Sequence, residues 1–220
     1  MRYLDLERWP RRASYEMFRA FDDPYFSVCT QLDLSALVAL KARLPGSLTL
    51  AYHHLLLRAA NELEPFRYRF DGDRVRVLDV VHGSMTVLQP DETITFAHLP
   101  YDADHGRFVA VALPQVRAAQ RGEVAFDPAQ DEQTLMHFTT LPWMDFTSFS
   151  HARDRRRPDA IPKVAFGRLV DTGRGHRMAI AIEVHHALMD GLHVGRLLQR
   201  VQGWLDDPAP ALLGAAAPGG

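Results

Sequence analysis

The 220-residue chain predicts an α+β fold: a single domain with a large mixed β-sheet flanked by helices. Three observations carry this reading. Apolar spacing switches repeatedly between the helical and the strand period, and hairpin turns interrupt any regular strand–helix alternation. No glycine-rich phosphate loop opens a helix, which argues against a doubly wound nucleotide-binding sheet. Neither a repeat nor a low-complexity linker divides residues 1–206, which are read as one domain. Residues 207–220, almost wholly Pro, Ala, Gly and Leu, are expected to form a flexible tail.

Taken in order, residues 11–21 read as a helix, with Tyr15, Phe18 and Phe21 near helical spacing. Residues 25–34 alternate, and Phe26, Val28, Thr30 and Leu32 share one strand face. Ser35 is expected to cap a helix over 36–44 that stops at Pro45-Gly46, and Ser47 another that runs to Glu62. A hairpin follows, with strands at 67–70 and 74–81 around Asp71-Gly72-Asp73. Strands at 84–88 and 93–99 precede a helix over 104–121 and a loop over 122–132. Further strands are expected at 135–141, 164–171 and 177–185, and a last helix at 192–205.

Composition narrows the function. Twenty-five Lys+Arg against 27 Asp+Glu leave a formal charge of −2, so no basic field invites nucleic acid or an anionic membrane. No apolar run approaches the ~20 residues of a membrane span, and no secretory leader is apparent. The lone Cys29 offers neither an intrachain disulfide nor a cysteine-based metal site, and a reducing, cytoplasmic location is expected. Only Lys41 and Lys163 are lysines; all other basic residues are arginine, a bias read as genomic.

The segment richest in chemistry joins the last strand to the last helix: His185-His186-Ala187-Leu188-Met189-Asp190-Gly191. A histidine at a strand end, followed by a tight turn, projects readily into a cleft. His185, His186, Asp190 and His193 offer ligand atoms, but neighbouring strand residues point to opposite faces, so the pair should not converge on one metal. No metal is expected. From spacing alone, catalysis and simple packing stay open alternatives for the pair.

His186-x-x-x-Asp190-Gly191, within "HHALMDGLHVGRLL", resembles the active-site motif of the trimeric, acetyl-CoA-dependent chloramphenicol acetyltransferases. The same kernel occurs more loosely in dihydrolipoyl acyltransferase catalytic domains. "LDLERWPRRASYEMFRAFDDPYF", "TTLPWMDFTSF" and "IPKVAFGRL" resemble further segments of the former family, and together they cover residues 3–205 in order. The resemblance implies a CoA-dependent acyltransferase fold. It also implies a reaction in which acetyl passes from acetyl-CoA to the primary hydroxyl of chloramphenicol in a ternary complex, conferring antibiotic resistance. A homotrimer with active sites at subunit interfaces is implied as well.

Carried onto this chain, the resemblance makes His186 the general base, a task that suits imidazole with its ordinary pKa near ~6.5. Asp190 pairs with Arg11 to order the turn, and Thr139 supplies the oxyanion hydroxyl, with Thr140 expected on the opposite strand face. Phe18, Phe26, Phe96, Phe126 and Phe149 fall at acceptor-pocket positions. Trp143 and Arg168 fall on the CoA side, and the run Arg153, Arg155, Arg156 and Arg157 reads either as phosphate ligands or as a solvated loop. Asp22, Ser84, His137, His151 and Ala165 depart from familiar members of the family, so an acyltransferase acting on another alcohol or an amine is the alternative. A dihydrolipoyl acyltransferase core and a non-catalytic drug-binding protein are the remaining rivals.

Overall fold

Six strands hydrogen-bond into one mixed sheet in the computed structural model, which describes residues 2–124, 132–154 and 159–214. In chain order the elements begin with β1 (Arg2–Tyr3), α1 (Arg12–Arg19), β2 (Tyr25–Asp33), α2 (Ser35–Leu40) and α3 (Leu48–Glu62). There follow β3 (Tyr68–Asp71), β4 (Arg74–Val77), β5 (His82–Leu88), β6 (Ile94–Leu99) and α4 (His105–Gln120). The chain continues through β7 (Leu135–Thr140), β8 (Lys163–Asp171), β9 (His176–His185), α5 (Gly191–Asp206) and α6 (Pro208–Leu213). The large sheet runs β2-β9-β8-β7-β5-β6, and a small one runs β1-β4-β3. Pairs β5–β7 and β7–β8 are parallel; the others in the large sheet are antiparallel.

Strand alternation sorts the large sheet into two unlike faces. Met85, Val87, Phe138, Val164, Phe166, Ile180 and Ile182 point to the core, where each is nearly or fully buried. Against them lies α3, buried from Leu50 to Ala60 except at Arg58, as befits a helix that is apolar nearly all round. Its start is held by Ser47, whose Oγ accepts from the Leu50 N–H at 3.2 Å. Burial lowers the imidazole pKa of His53 on this helix to about 4, so it packs as a neutral ring against Phe138 and Phe166.

The opposite face carries Ser84, Thr86, His137, Thr139, Lys163, Ala165, Ala181 and Glu183, whose register partners lie side by side. Part of it is covered by the segment between β7 and β8. There Arg153 donates to Glu183 Oε1 at 2.7 Å and to Asp159 Oδ1 at 2.7 Å, and its guanidinium lies 4.1 Å from the Tyr25 ring centroid. The Arg153 and Glu183 side chains are each only 7% exposed. This pins the covering segment onto β9 just before the two histidines. Of the arginine run, Arg153 is therefore a buried structural cation, since two carboxylates engage it; Arg155, Arg156 and Arg157 lie outside the described residues.

Three local expectations are corrected. Ser35 is not a cap: Leu34 holds that position, and the Ser35 hydroxyl accepts from the His176 N–H at 2.8 Å. The β4 strand ends at Val77, because Leu78 turns back to donate its N–H to Arg67. Residues 208–213 are helical, not a loose tail, because a proline suits the first helical turn and Leu212 buries itself to 3% exposure.

Burial pushes the Glu183 carboxyl up, but hydrogen bonds from His151 and Arg153 overcome this and bring its pKa from 4.5 down to about 2. A depressed folded-state pKa contributes stability that is present above the unfolded value and lost as pH falls through the folded one. Wild-type melting temperature should therefore fall steeply as pH drops from 4.5 toward 2, and Glu183→Gln should flatten that dependence. At pH 7 the same substitution should cost about 3 kcal/mol in urea unfolding, because Arg153 loses a buried partner. An unchanged acid limb in Glu183→Gln would remove this assignment.

Candidate active site

Strand β9 delivers the histidine pair to the edge of the chain. The His186 N–H donates to Pro24 O at 2.7 Å, and the N–H groups of Leu188 and Met189 both turn back to His185 O. One guanidinium fastens the turn that follows: Arg11 donates from Nε to Asp190 Oδ2, from Nη1 to Ala187 O and from Nη2 to His186 O, each at 3.2 Å. Asp190 in turn caps α5, accepting from the Leu192 N–H at 3.0 Å, while its own N–H donates to His193 Nδ1 at 3.1 Å. Burial would raise the Asp190 pKa, but the charges of His193 and Arg11 hold it below the ordinary carboxylate value. Asp190 is thus a fixed anion in a capping and pairing role.

The His186 ring stacks on Phe18, with centroids 3.7 Å apart and 6° between planes, and leans on Phe26 at 4.6 Å. Its Nδ1 is buried with no hydrogen-bond partner among the described residues, and Nε2 is not among such buried, unpartnered atoms. His185 faces the other way, edge-on to Tyr25 and Phe70. Burial, with Arg153 nearby, lowers its pKa to about 4, so it is a neutral packing residue whose Nδ1 accepts from the Ala187 N–H at 3.2 Å.

Thr139 stands elsewhere, on the floor of a cavity of 580 Å³ on the polar face of the sheet. Thr86, Phe96, His98, His137, His151 and Lys163 line the same cavity, and Thr86 Oγ1 lies 3.5 Å from Thr139 Oγ1. Thr140 falls on the opposite face, as alternation requires. Thr139 is level with Ala165 and Ala181 in the sheet, and His186 lies five residues beyond Ala181. At ~3.3 Å per residue that is roughly 16 Å along the strands, so the two do not converge within one chain.

The five phenylalanines separate accordingly. Phe18 and Phe26 pack on His186, and Phe96 lines the cavity and is 48% exposed. Phe149 packs on His151 at 4.8 Å and accepts from Ser27 Oγ through its carbonyl, and Phe126 lies outside the described residues. Trp143 and Arg168 lie on neighbouring segments: the Arg168 N–H donates to Met144 O at 2.7 Å, and both residues are exposed. Gly167 permits this approach, because a Cβ there would meet Met144 O at 2.9 Å.

Of the departures noted in the sequence, Ser84, His137 and His151 line the cavity. Ala165 sits buried beside Thr139, and Asp22 lies in an exposed turn. Sequence reasoning missed Lys163, His98 and Glu132 as lining residues. The rarity of lysine was the available signal for Lys163. Among the described residues no group of three metal-binding side chains comes together.

Comparison with known proteins matches the family model for chloramphenicol acetyltransferase to residues 1–202. A chloramphenicol acetyltransferase of Streptomyces acrimycini is 30% identical over 209 residues, covering 94% of each chain. One of Escherichia coli is 28% identical over 206 residues, covering 93% of each. Among solved structures, a chloramphenicol acetyltransferase superposes with a TM-score of 0.82 at 26% identity, over 93% of this chain and 99% of that one. The dihydrolipoamide acetyltransferase of Azotobacter vinelandii, at 15% identity and a TM-score of 0.66, covers 91% of this chain and 88% of its own, and shares the fold.

Removing the Arg11 guanidinium leaves a partly buried carboxylate and two turn carbonyls without their donor. Arg11→Met should therefore lower unfolding free energy by about 2–3 kcal/mol, less than a fully buried pair because the Asp190 side chain is 36% exposed. Asp190→Asn should lower stability in the same direction. Melting temperatures matching wild type in both variants would strip the pair of its structural role.

Proposed function

The chain belongs to the chloramphenicol acetyltransferase family, and on that premise we propose that it is a chloramphenicol O-acetyltransferase with His186 as its general base. One observation supports this most. The turn carrying His186 is tied at three points by Arg11, while the ring is stacked on Phe18 with Nδ1 buried. Such rigidity is what proton transfer in a defined direction needs.

In this reading Nε2 of His186 takes the proton of the acceptor's primary hydroxyl as its oxygen attacks the thioester carbonyl of acetyl-CoA. The Thr139 hydroxyl donates to the oxyanion of the tetrahedral intermediate. That intermediate collapses, the C–S bond breaks, and the CoA thiolate recovers the proton from the imidazolium. Asp190 and Arg11 position the base and transfer no proton. Trp143 and Arg168, exposed on neighbouring segments, are the proposed contacts for acetyl-CoA as co-substrate, one offering an aromatic face and the other a cation. The lone Cys29 suits a cytoplasmic setting.

The separation of His186 from Thr139 supports a site shared between subunits of a homotrimer. His186 of one subunit would close over the cavity of its neighbour. Exposed apolar side chains lie at both places: Met17 and Phe21 near His186, and Leu88, Ile94 and Phe96 on the β5–β6 edge.

Thiol release from acetyl-CoA with chloramphenicol tests the reaction. His186→Ala should lower kcat by about 10²- to 10⁴-fold with little change in KM for acetyl-CoA. Turnover at the wild-type rate would exclude His186. Specific activity should also vanish on dilution as the subunits separate, and an active monomer in analytical ultracentrifugation would overturn the shared site.

A further inference from the structure

The cavity floor is organised in rows. One row runs Phe96, Thr86, Thr139 and Ala165 across β6, β5, β7 and β8. The next, two residues along each strand, runs His98, Ser84, His137 and Lys163. The first row holds the proposed oxyanion donor, and the second is polar at every position. The rows are ~7 Å apart, two residue rises along a strand.

Lys163 is the cation of the second row, which continues onto β9 at Glu183. Its ammonium donates to Ala152 O at 2.8 Å, and no carboxylate among the described residues lies within salt-bridge distance of it. The nearby carboxylates, Asp159 and Glu183, are already engaged by Arg153 at 2.7 Å each. Burial, then the Arg153 charge, holds the Lys163 pKa below its ordinary value against the opposing pull of Asp159, Glu183 and Glu132. His137 beside it stays a neutral imidazole, because burial and the Lys163 charge lower its pKa to about 4. Glu132 also lines the cavity and is exposed.

We propose that Lys163, with His137 and Ser84, makes this pocket select acceptor alcohols that carry a carboxylate about one row from the reacting hydroxyl. The inference rests on the acetyl-transfer reading above and names its acceptor class. A carboxylate there accepts a charge-assisted hydrogen bond from the ammonium and neutral ones from the imidazole and hydroxyl. A nitroaryl group has the same planar, two-oxygen shape without the full charge, so it fits the row but binds it less strongly.

That likeness supplies the test. Chloramphenicol and its analogue with a para-carboxylate in place of the nitro group are compared as acceptors by thiol release from acetyl-CoA. Wild type should favour the carboxylate at least tenfold in kcat/KM. Lys163→Met should lose or invert that preference, read as the ratio of the two kcat/KM values, and Lys163→Arg should retain it. Equal use of both acceptors by wild type, or an unaltered preference in Lys163→Met, overturns the inference but leaves acetyl transfer intact. Release of no CoA with either acceptor overturns both. A melting temperature for each variant separates loss of preference from loss of fold.

Discussion

The placement of the cavity-floor side chains depends on the two-residue period of a pleated strand, propagated across six strands in register. Once Val164 and Phe166 face the core, Lys163 and Ala165 must face away, and the register carries that choice to His137 and Thr139 on one side and to Ala181 and Glu183 on the other. A slip of one residue in β7 would bury His137 and Thr139 in the core and expose Met136 and Phe138. The apolar face packed on α3 therefore fixes the composition of the cavity floor.

Charge on the polar face and around the turn after β9 is managed by arginine. Arg153 joins two carboxylates and pins the covering segment, and Arg11 joins one carboxylate to two carbonyls and holds the turn after β9. Both use the planar fork of the guanidinium, which engages several acceptors in fixed directions. Lys163 differs, as a compact ammonium held to one backbone carbonyl among the described residues.

Much of the fold was legible because local signals were strong and consistent. Alternation placed Phe26, Val28 and Leu32 on one face of β2, and Ser47 marked the start of α3. The spacing from His186 to Asp190 marked a strand end and a helix start, which the turn and the Asp190 cap bear out. The misses share a cause. Ser35 looked like a cap, but its hydroxyl bonds to β9, a strand 141 residues away. The segment 208–213 looked too poor in signal to order, but Leu212 found a buried place against distant helices.

By itself, the sequence determined which residue types sit on which face of each element, and through its motifs the family to which the chain belongs. Periodicity and caps are local, so they survive in a linear reading. The tertiary structure decided what lies beside what: that Arg153 is consumed by Glu183 and Asp159, that His185 packs on Tyr25 and Phe70 while His186 stacks on Phe18, and that Lys163 lines the cavity of Thr139. These depend on register between strands far apart in the chain, set by the packing of the whole core and written in no single segment. The near-neutral charge of the chain is likewise a sum, and only the fold shows which of its charges are spent within the protein.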